Sequence, residues 1–353
     1  MKRSMVISSI IAAVVVIGIG VSVAKSSGSN QKDAYSVALV TSTGGVDDKS
    51  FNQSAWDGIK RFGKKNNMKQ GQSGFSYFVS NDNSEIKSNL QQAVKANYKL
   101  VVGISFMGGP AMKQVAKANP KTNFAMVEAD VPYKNAVSIM FHSEQSSYLA
   151  GVAAATASKT GKIGFVGGVK GEVIEQFEAG FKAGVLATNP KATFVSQYAN
   201  TFTDAAKGKT IAAAMYASGV DVIFQAAGAT GNGVFAEAKA ENQNTTVDKK
   251  VWVIGVDMDQ KADGNYTAKD GKTSNFTLAS AIKRVDNAIE IVAQQGQSKQ
   301  FPGGKTVTYG LKENGVDIAR DAMPDNAWQA TQEAKKQILA GKITVPKKLS
   351  DVK

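Results

Sequence analysis

Several short clusters in this chain combine residue types that can recognise a small molecule. Gly44-Gly45-Val46-Asp47-Asp48-Lys49-Ser50-Phe51-Asn52-Gln53 holds two glycines for a tight turn and Asp47, Asp48 or Ser50 to cap a following helix. A capped loop accounts for the Gly, Asp and Ser, but not for Phe51 beside Asn52. An aromatic face next to a bidentate amide is what recognition of a planar heterocycle requires. Glu128-Ala129-Asp130 places carboxylates where they could accept from a ligand N–H, or stand as solvated loop acids. In Phe224-Gln225-Ala226-Ala227-Gly228-Ala229-Thr230-Gly231 a Gly-rich turn offers backbone N–H groups to ligand oxygens. Gly255-Val256-Asp257-Met258-Asp259 supplies paired acids, of which Asp257 suits a pair of vicinal hydroxyls. Lys283, within Ala281-Ile282-Lys283-Arg284, taken by itself is an ordinary helix-face lysine.

Other chemistries lack their parts. The spacing of the Gly228 turn fails the dinucleotide-binding pattern. Gly-Lys-Thr triplets begin at Gly208, Gly271 and Gly304, but Thr203, Tyr266 and Lys299 stand where a phosphate-binding loop needs its first glycine. A calcium loop at Asp257 fails at Lys261. There is no cysteine, so thiol catalysis and zinc–thiolate sites are out of reach, and with His142 the only histidine no Ser-His-Asp triad or multi-histidine metal site can be built without other bases. We therefore expect no catalytic residue, no metal and no cofactor. His142 is expected to hydrogen-bond at an interface or hinge.

The elements that would position these clusters are legible. Apolar β-rich runs at 35–41, 75–79, 100–105, 123–127 and 136–141 alternate with amphipathic helical runs at 51–66, 84–96 and 110–118. The pattern repeats at 162–166, 193–198, 221–225 and 251–256, with helices between. Leu278–Gln294 reads as a late helix, Thr306–Leu311 as a possible strand and Asp325–Gly341 as a final helix. Alternation of this kind predicts α/β architecture with parallel sheets, here as two doubly wound lobes joined by a hinge. Ligands in such sheets sit beyond the carboxyl ends of the strands, where the clusters lie. The expected division is residues 34–142 with 276–300 for the first lobe, and 143–275 with 301–353 for the second.

Composition narrows the setting. The 353 residues are 43% hydrophobic, enough for two cores, and carry a formal charge of +13. The lysines are scattered rather than striped with aromatics, so a basic surface facing an anionic envelope is preferred to nucleic-acid binding. Lys2 and Arg3 precede an uncharged run from Met5 to Ala24, the order of an export signal. Ser22 and Ala24 permit cleavage after Ala24. The run is also long enough, at about 20 residues, to remain as a membrane-spanning anchor. Residues 1–33 thus read as signal or anchor plus a flexible tether.

Taken in order, Asp47-Asp48-Lys49-Ser50-Phe51-Asn52-Gln53, Glu144-Gln145-Ser146-Ser147-Tyr148-Leu149-Ala150-Gly151, Ala227-Gly228-Ala229-Thr230-Gly231 and Gly255-Val256-Asp257 resemble the basic membrane protein family. Its members are substrate-binding lipoproteins of ABC transporters, including purine nucleoside receptors, with the type I periplasmic-binding-protein fold. The resemblance implies that Phe51 and Phe224 stack on the two faces of a purine and that Asn52 and Asp130 bond its edge. It further implies that Asp257 and Lys283 hold the ribose hydroxyls, helped by backbone N–H near Ala229. The implied partners are a purine nucleoside, an ABC permease and the cell membrane. Two departures stand out: no cysteine can carry a lipid, so the chain is either anchored by its own N-terminal segment or secreted. Ala229 also stands where glycine is expected. A nucleoside hydrolase, or a surface sensor or interaction protein on the same fold, are the alternative functions.

Overall fold

The computed structural model describes residues 35–353. The export segment and the tether read from the sequence lie outside the described residues. In the first half, β1 (Val37–Thr43), α1 (Phe51–Lys65), β2 (Phe75–Ser80), α2 (Asn83–Lys95), β3 (Leu100–Ile104), α3 (Gly109–Ala118), β4 (Asn123–Val127) and β5 (Ala136–Phe141) follow one another. The second half contains α4 (Ser143–Ala157), β6 (Lys162–Gly167), α5 (Glu172–Thr188), β7 (Thr193–Tyr198), α6 (Ala205–Ala217), β8 (Val222–Ala226), α7 (Gly231–Gln243) and β9 (Trp252–Asp257). A small hairpin of β10 (Asn265–Thr267) and β11 (Thr273–Asn275) precedes β12 (Thr277–Lys283), α8 (Val285–Gln297), β13 (Thr306–Tyr309), β14 (Val316–Ala319) and α9 (Asp325–Leu339).

The large strands form two six-stranded sheets, ordered β13-β5-β4-β3-β1-β2 and β14-β12-β9-β8-β6-β7. Every pairing in the first is parallel, and in the second only β12 with β14 is antiparallel. Parallel strands covered on both faces have no polar side, which explains why Val37–Val40 and Leu100–Ile104 are apolar without alternation. In β1, Val37 and Leu39 join Ile59 and Phe62 of α1 and Ile289 of α8 on one face. Ala38 and Val40 join Leu90 of α2 and Met112 of α3 on the other. The second sheet is covered likewise, by α4 and α5 on one face and by α6 and α7 on the other.

Three differences from the sequence reading matter. The run beginning at Leu278 is not one helix: Thr277–Lys283 is a strand, pairing with β9 in parallel and β14 in antiparallel register, and the helix begins only at Val285. A short, fully buried apolar strand cannot be told from a buried helical turn by periodicity. Residues 276–300 therefore divide, with β12 in the second sheet and α8 against β1, β3 and β4 of the first. β13, expected in the second lobe, extends the first sheet through β5. The chain consequently crosses between sheets three times, at His142, at Arg284 and across 310–315. His142 lies at the first crossing with Nδ1 2.9 Å from Glu144 Oε1. Among the described residues no helix is long and apolar enough to cross a membrane.

Helices α4 and α5 pack with their backbones in near contact. A Cβ at Gly184 would come 2.1 Å from the Tyr148 carbonyl oxygen, and one at Gly151 would come 2.2 Å from that of Phe181. Gly184→Ala or Gly151→Ala must push the helices apart, at a cost of about 1–3 kcal/mol. Thermal unfolding should show a lower Tm for either variant; an unchanged Tm would contradict this packing.

Candidate functional site

The carboxyl ends of β1, β3 and β4 face those of β8, β9 and β12 across an aromatic-lined cavity. Each sheet reverses its strand order there, between β1 and β3 in the first and between β6 and β8 in the second, the usual place for a ligand crevice. The backbone is unusual at these ends. Ser105, Glu128 and Asp257 follow or close β3, β4 and β9 with φ of 86°, 68° and 66°. Left-handed backbone at a non-glycine residue costs energy and tends to mark functional sites. Here it turns three polar side chains toward the cavity, which all three line.

The electrostatic centre is Lys283, 3% exposed at the end of β12. Its Nζ lies 2.6 Å from Glu128 Oε1 and 3.0 Å from Asp257 Oδ1. The same ammonium sits over the rings of Phe51 (4.4 Å) and Phe177 (5.1 Å). Burial opposes the Lys283 charge, but Asp257 and Glu128 outweigh it and hold its pKa above the usual value. Burial pushes the Glu128 carboxyl up, partly offset by Lys283. Asp257 accepts from Ser50 Oγ (2.5 Å) through Oδ2, while its Oδ1 is held by the Lys283 ammonium.

Asp48 caps α1, accepting from the backbone N–H of Ser50, Asn52 and Gln53 and from the Asn52 amide. Burial raises its pKa against those four donors. Asn52 in turn accepts from Ser42 N at 2.9 Å. Four phenylalanines, Phe51, Phe106, Phe177 and Phe202, complete the wall. The arrangement offers flat apolar faces for a ring and a charged, polar end for hydroxyl or amine groups.

Residues 35–349 match the family described as "ABC transporter substrate-binding protein PnrA-like". The chain belongs to this family of ABC-transporter substrate-binding proteins. It is 47% identical, over 98% of its length and 99% of the relative's, to the "ABC transporter nucleoside-binding protein BmpA" of Lactococcus lactis. It is 49% identical, over 89% and 88%, to the "CD4+ T-cell-stimulating antigen" of Listeria monocytogenes, and 36% identical, over 83% and 81%, to basic membrane protein D of Borreliella burgdorferi. A solute-binding protein of Aeropyrum pernix shares the fold with a TM-score of 0.75 at 24% identity, covering 88% of this chain and 93% of its own. The architecture is that of type I periplasmic solute-binding proteins. Members of the family work outside the cytoplasm, binding a ligand and an ABC permease, and so does this chain.

Within this substrate-binding protein the residues singled out from the sequence separate into two groups. Phe51, Asn52, Asp48, Gly228, Asp257 and Lys283 line the cavity. Phe224 does not: it is fully buried, its ring packed among Phe165, Phe177 and Phe181 in the core beneath the site. It lies two residues before the strand's end, and Ala226 is the β8 residue that reaches the wall. Asp130 is exposed and accepts only long bonds from Ser138 Oγ (3.4 Å) and Thr306 Oγ1 (3.3 Å). Glu128 takes the inward place, because the left-handed turn occurs there. Ala229 is outside the wall; the positive φ, 56°, falls at Gly228, so alanine is not strained at the next position. Asp47 is exposed and also outside the wall.

Sequence reasoning missed Phe106, Phe177 and Phe202 and chose Asp130 over Glu128. Ser105-Phe106 after β3 matches Ser50-Phe51 beyond β1, a repeat that carried a signal. Phe177, on an apolar helix face, carried none.

Two outcomes follow from these charges. Lys283→Met leaves two buried carboxylates without their cation and should cost about 3–5 kcal/mol in chemical denaturation at neutral pH; adding Glu128→Gln should recover part of the loss. Behind the site, Asp321 accepts from Ser280 Oγ at 2.7 Å and faces Asp259 and Lys261; burial, with Asp259 adding repulsion, raises its pKa to about 6. Its folded pKa exceeds the ordinary value, so its contribution is full below about pH 4 and is lost as pH rises through about 6. Asp321→Asn should therefore raise Tm relative to wild type at pH 8, with the difference closing by about pH 4. A pH-independent difference would contradict the assignment.

Proposed function

We propose that this receptor captures a purine nucleoside between its lobes and delivers it to an ABC permease. The observation that carries the proposal is the buried Lys283–Asp257 pair, Nζ to Oδ1 3.0 Å, at the end of an aromatic-walled cavity. An acceptor and a charged donor side by side suit vicinal ribose hydroxyls. Phe51 opposite Phe106, Phe177 or Phe202 suits the two faces of a heterocycle. Asn52 and Glu128 are the groups we assign to the base edge, and the backbone near Gly228 to ligand oxygens. The Lactococcus relative's description as nucleoside-binding favours the same ligand class.

The role is binding without turnover. The aromatic cluster differs from the pair implied by family resemblance: a stacking role assigned to Phe224 passes to the three rings that line the wall, and one assigned to Asp130 passes to Glu128. We further propose that the N-terminal segment exports the chain and, where uncleaved, anchors it; the mass of the purified N-terminus distinguishes anchor from leader.

A thermal-shift screen against nucleosides, free bases and sugars should show stabilisation by inosine, guanosine or adenosine at the lowest concentrations. Phe51→Ala should lose about 1–3 kcal/mol of binding free energy by calorimetry. Stabilisation by sugars alone, or unchanged affinity in the variant, would sink the assignment. Release of free base on long incubation would instead favour a hydrolase.

A further inference from the structure

Beyond the ligand cavity, the two lobes touch at a second place, organised by a buried glutamine. Gln260 follows β9 and is 3% exposed. Its Oε1 accepts from Val256 N (2.9 Å) and from Gln225 Nε2 (3.0 Å), and its own backbone N–H donates to Ser280 Oγ (3.0 Å). Gln225, with no exposed surface, accepts from Ala227 N at 3.2 Å. The amide pair thus ties the end of β8, ahead of Gly228, to the end of β9, which carries Asp257. A Cβ at Gly255 would come 2.5 Å from Gln260 Oε1, so glycine there leaves room for the amide.

With two donors on its oxygen, the amide orientation is fixed and Nε2 must face outward. It donates to the backbone carbonyl of Lys49, in the other lobe, at 3.0 Å. Lys49 has a left-handed backbone (φ 59°), and its Nζ pairs with Asp263 Oδ1 at 2.6 Å, back in the second lobe. Ser50, the next residue, is the one that donates to Asp257 within the cavity. Adjacent residues of the first lobe therefore grip both the ligand-facing acid and the amide behind it.

We propose that Gln260 is a positioning residue for lobe closure: it holds the Lys49 carbonyl, so that engagement of Asp257 and fastening of the cleft become one event. The proposal rests on the two-lobe capture reading above. The Lys49–Asp263 pair, solvent-exposed on the lysine side, adds a weaker, salt-sensitive part.

The test uses the full chain with guanosine as probe. Gln260→Glu keeps both accepted bonds but removes the donor and sets a carboxylate against the Lys49 carbonyl. In stopped-flow measurements it should raise the dissociation rate roughly tenfold while changing the association rate by less than about twofold. Small-angle scattering should show a larger radius of gyration than wild type, with and without guanosine. Asp263→Asn should raise dissociation by about two- to threefold at low salt and by nothing at about 1 M salt. A wild-type dissociation rate and radius in Gln260→Glu would overturn the proposal, as would equal changes in both rates. Should Gln260→Glu fail to fold, a salt-independent or absent effect of Asp263→Asn overturns it. If the wild type itself does not bind guanosine, the ligand assignment fails, and the ligand-free radius alone decides the latch: a more open Gln260→Glu supports it and an unchanged one overturns it.

Discussion

Lys283 brings a full positive charge to the place where two sheets meet, and most of the site is arranged around keeping it there. A buried ammonium is costly unless its partners are close and well placed. Glu128 comes from the end of β4 in one lobe and Asp257 from the end of β9 in the other, so the charge is satisfied only when both lobes contribute. The rings of Phe51 and Phe177 flank the same ammonium, again one from each lobe. The trio sets two carboxyl groups around one ammonium. Among the described residues Lys283 is the one lysine or arginine that is buried; the others, behind a formal charge of +13, lie nearer solvent.

Delivery of those partners depends on the backbone. β12 ends at Lys283, and the chain then crosses to the first sheet's side at Arg284, so the lysine is anchored beside a segment that links the two sheets. Glu128, Ser105 and Asp257 point inward because each adopts a left-handed conformation where its strand ends. Continued extension would have sent those side chains along the sheet. The strain is held by dense cores beneath, where Phe224, Phe165 and Phe181 fill the space under the cavity floor. Asp48 plays a similar part on the first lobe: four hydrogen bonds to one carboxylate fix the start of α1 and thereby aim Phe51. Asn52 contributes as much to this framework, through Ser42 and Asp48, as to the cavity wall.

The sequence by itself determined the architecture and part of the cavity wall. Apolar runs without alternation, separated by amphipathic helices, can be satisfied only by parallel sheets covered on both faces. Clusters directly after strands had to collect at the carboxyl edge, and so Phe51, Asn52 and Asp257 reach one cavity. Tertiary structure decided what spacing cannot encode. Whether Thr277–Lys283 is strand or helix depends on having β9 and β14 beside it, and Lys283 changes from a surface helix residue to a buried charge with that pairing. Whether Glu128 or Asp130 turns inward depends on which residue takes the left-handed φ. Whether Phe224 or Phe177 faces the cavity depends on strand depth and on the angle at which α5 crosses the sheet. Hydrophobicity is the same for all these phenylalanines; only the packing of neighbouring elements separates a core ring from a cavity-facing one.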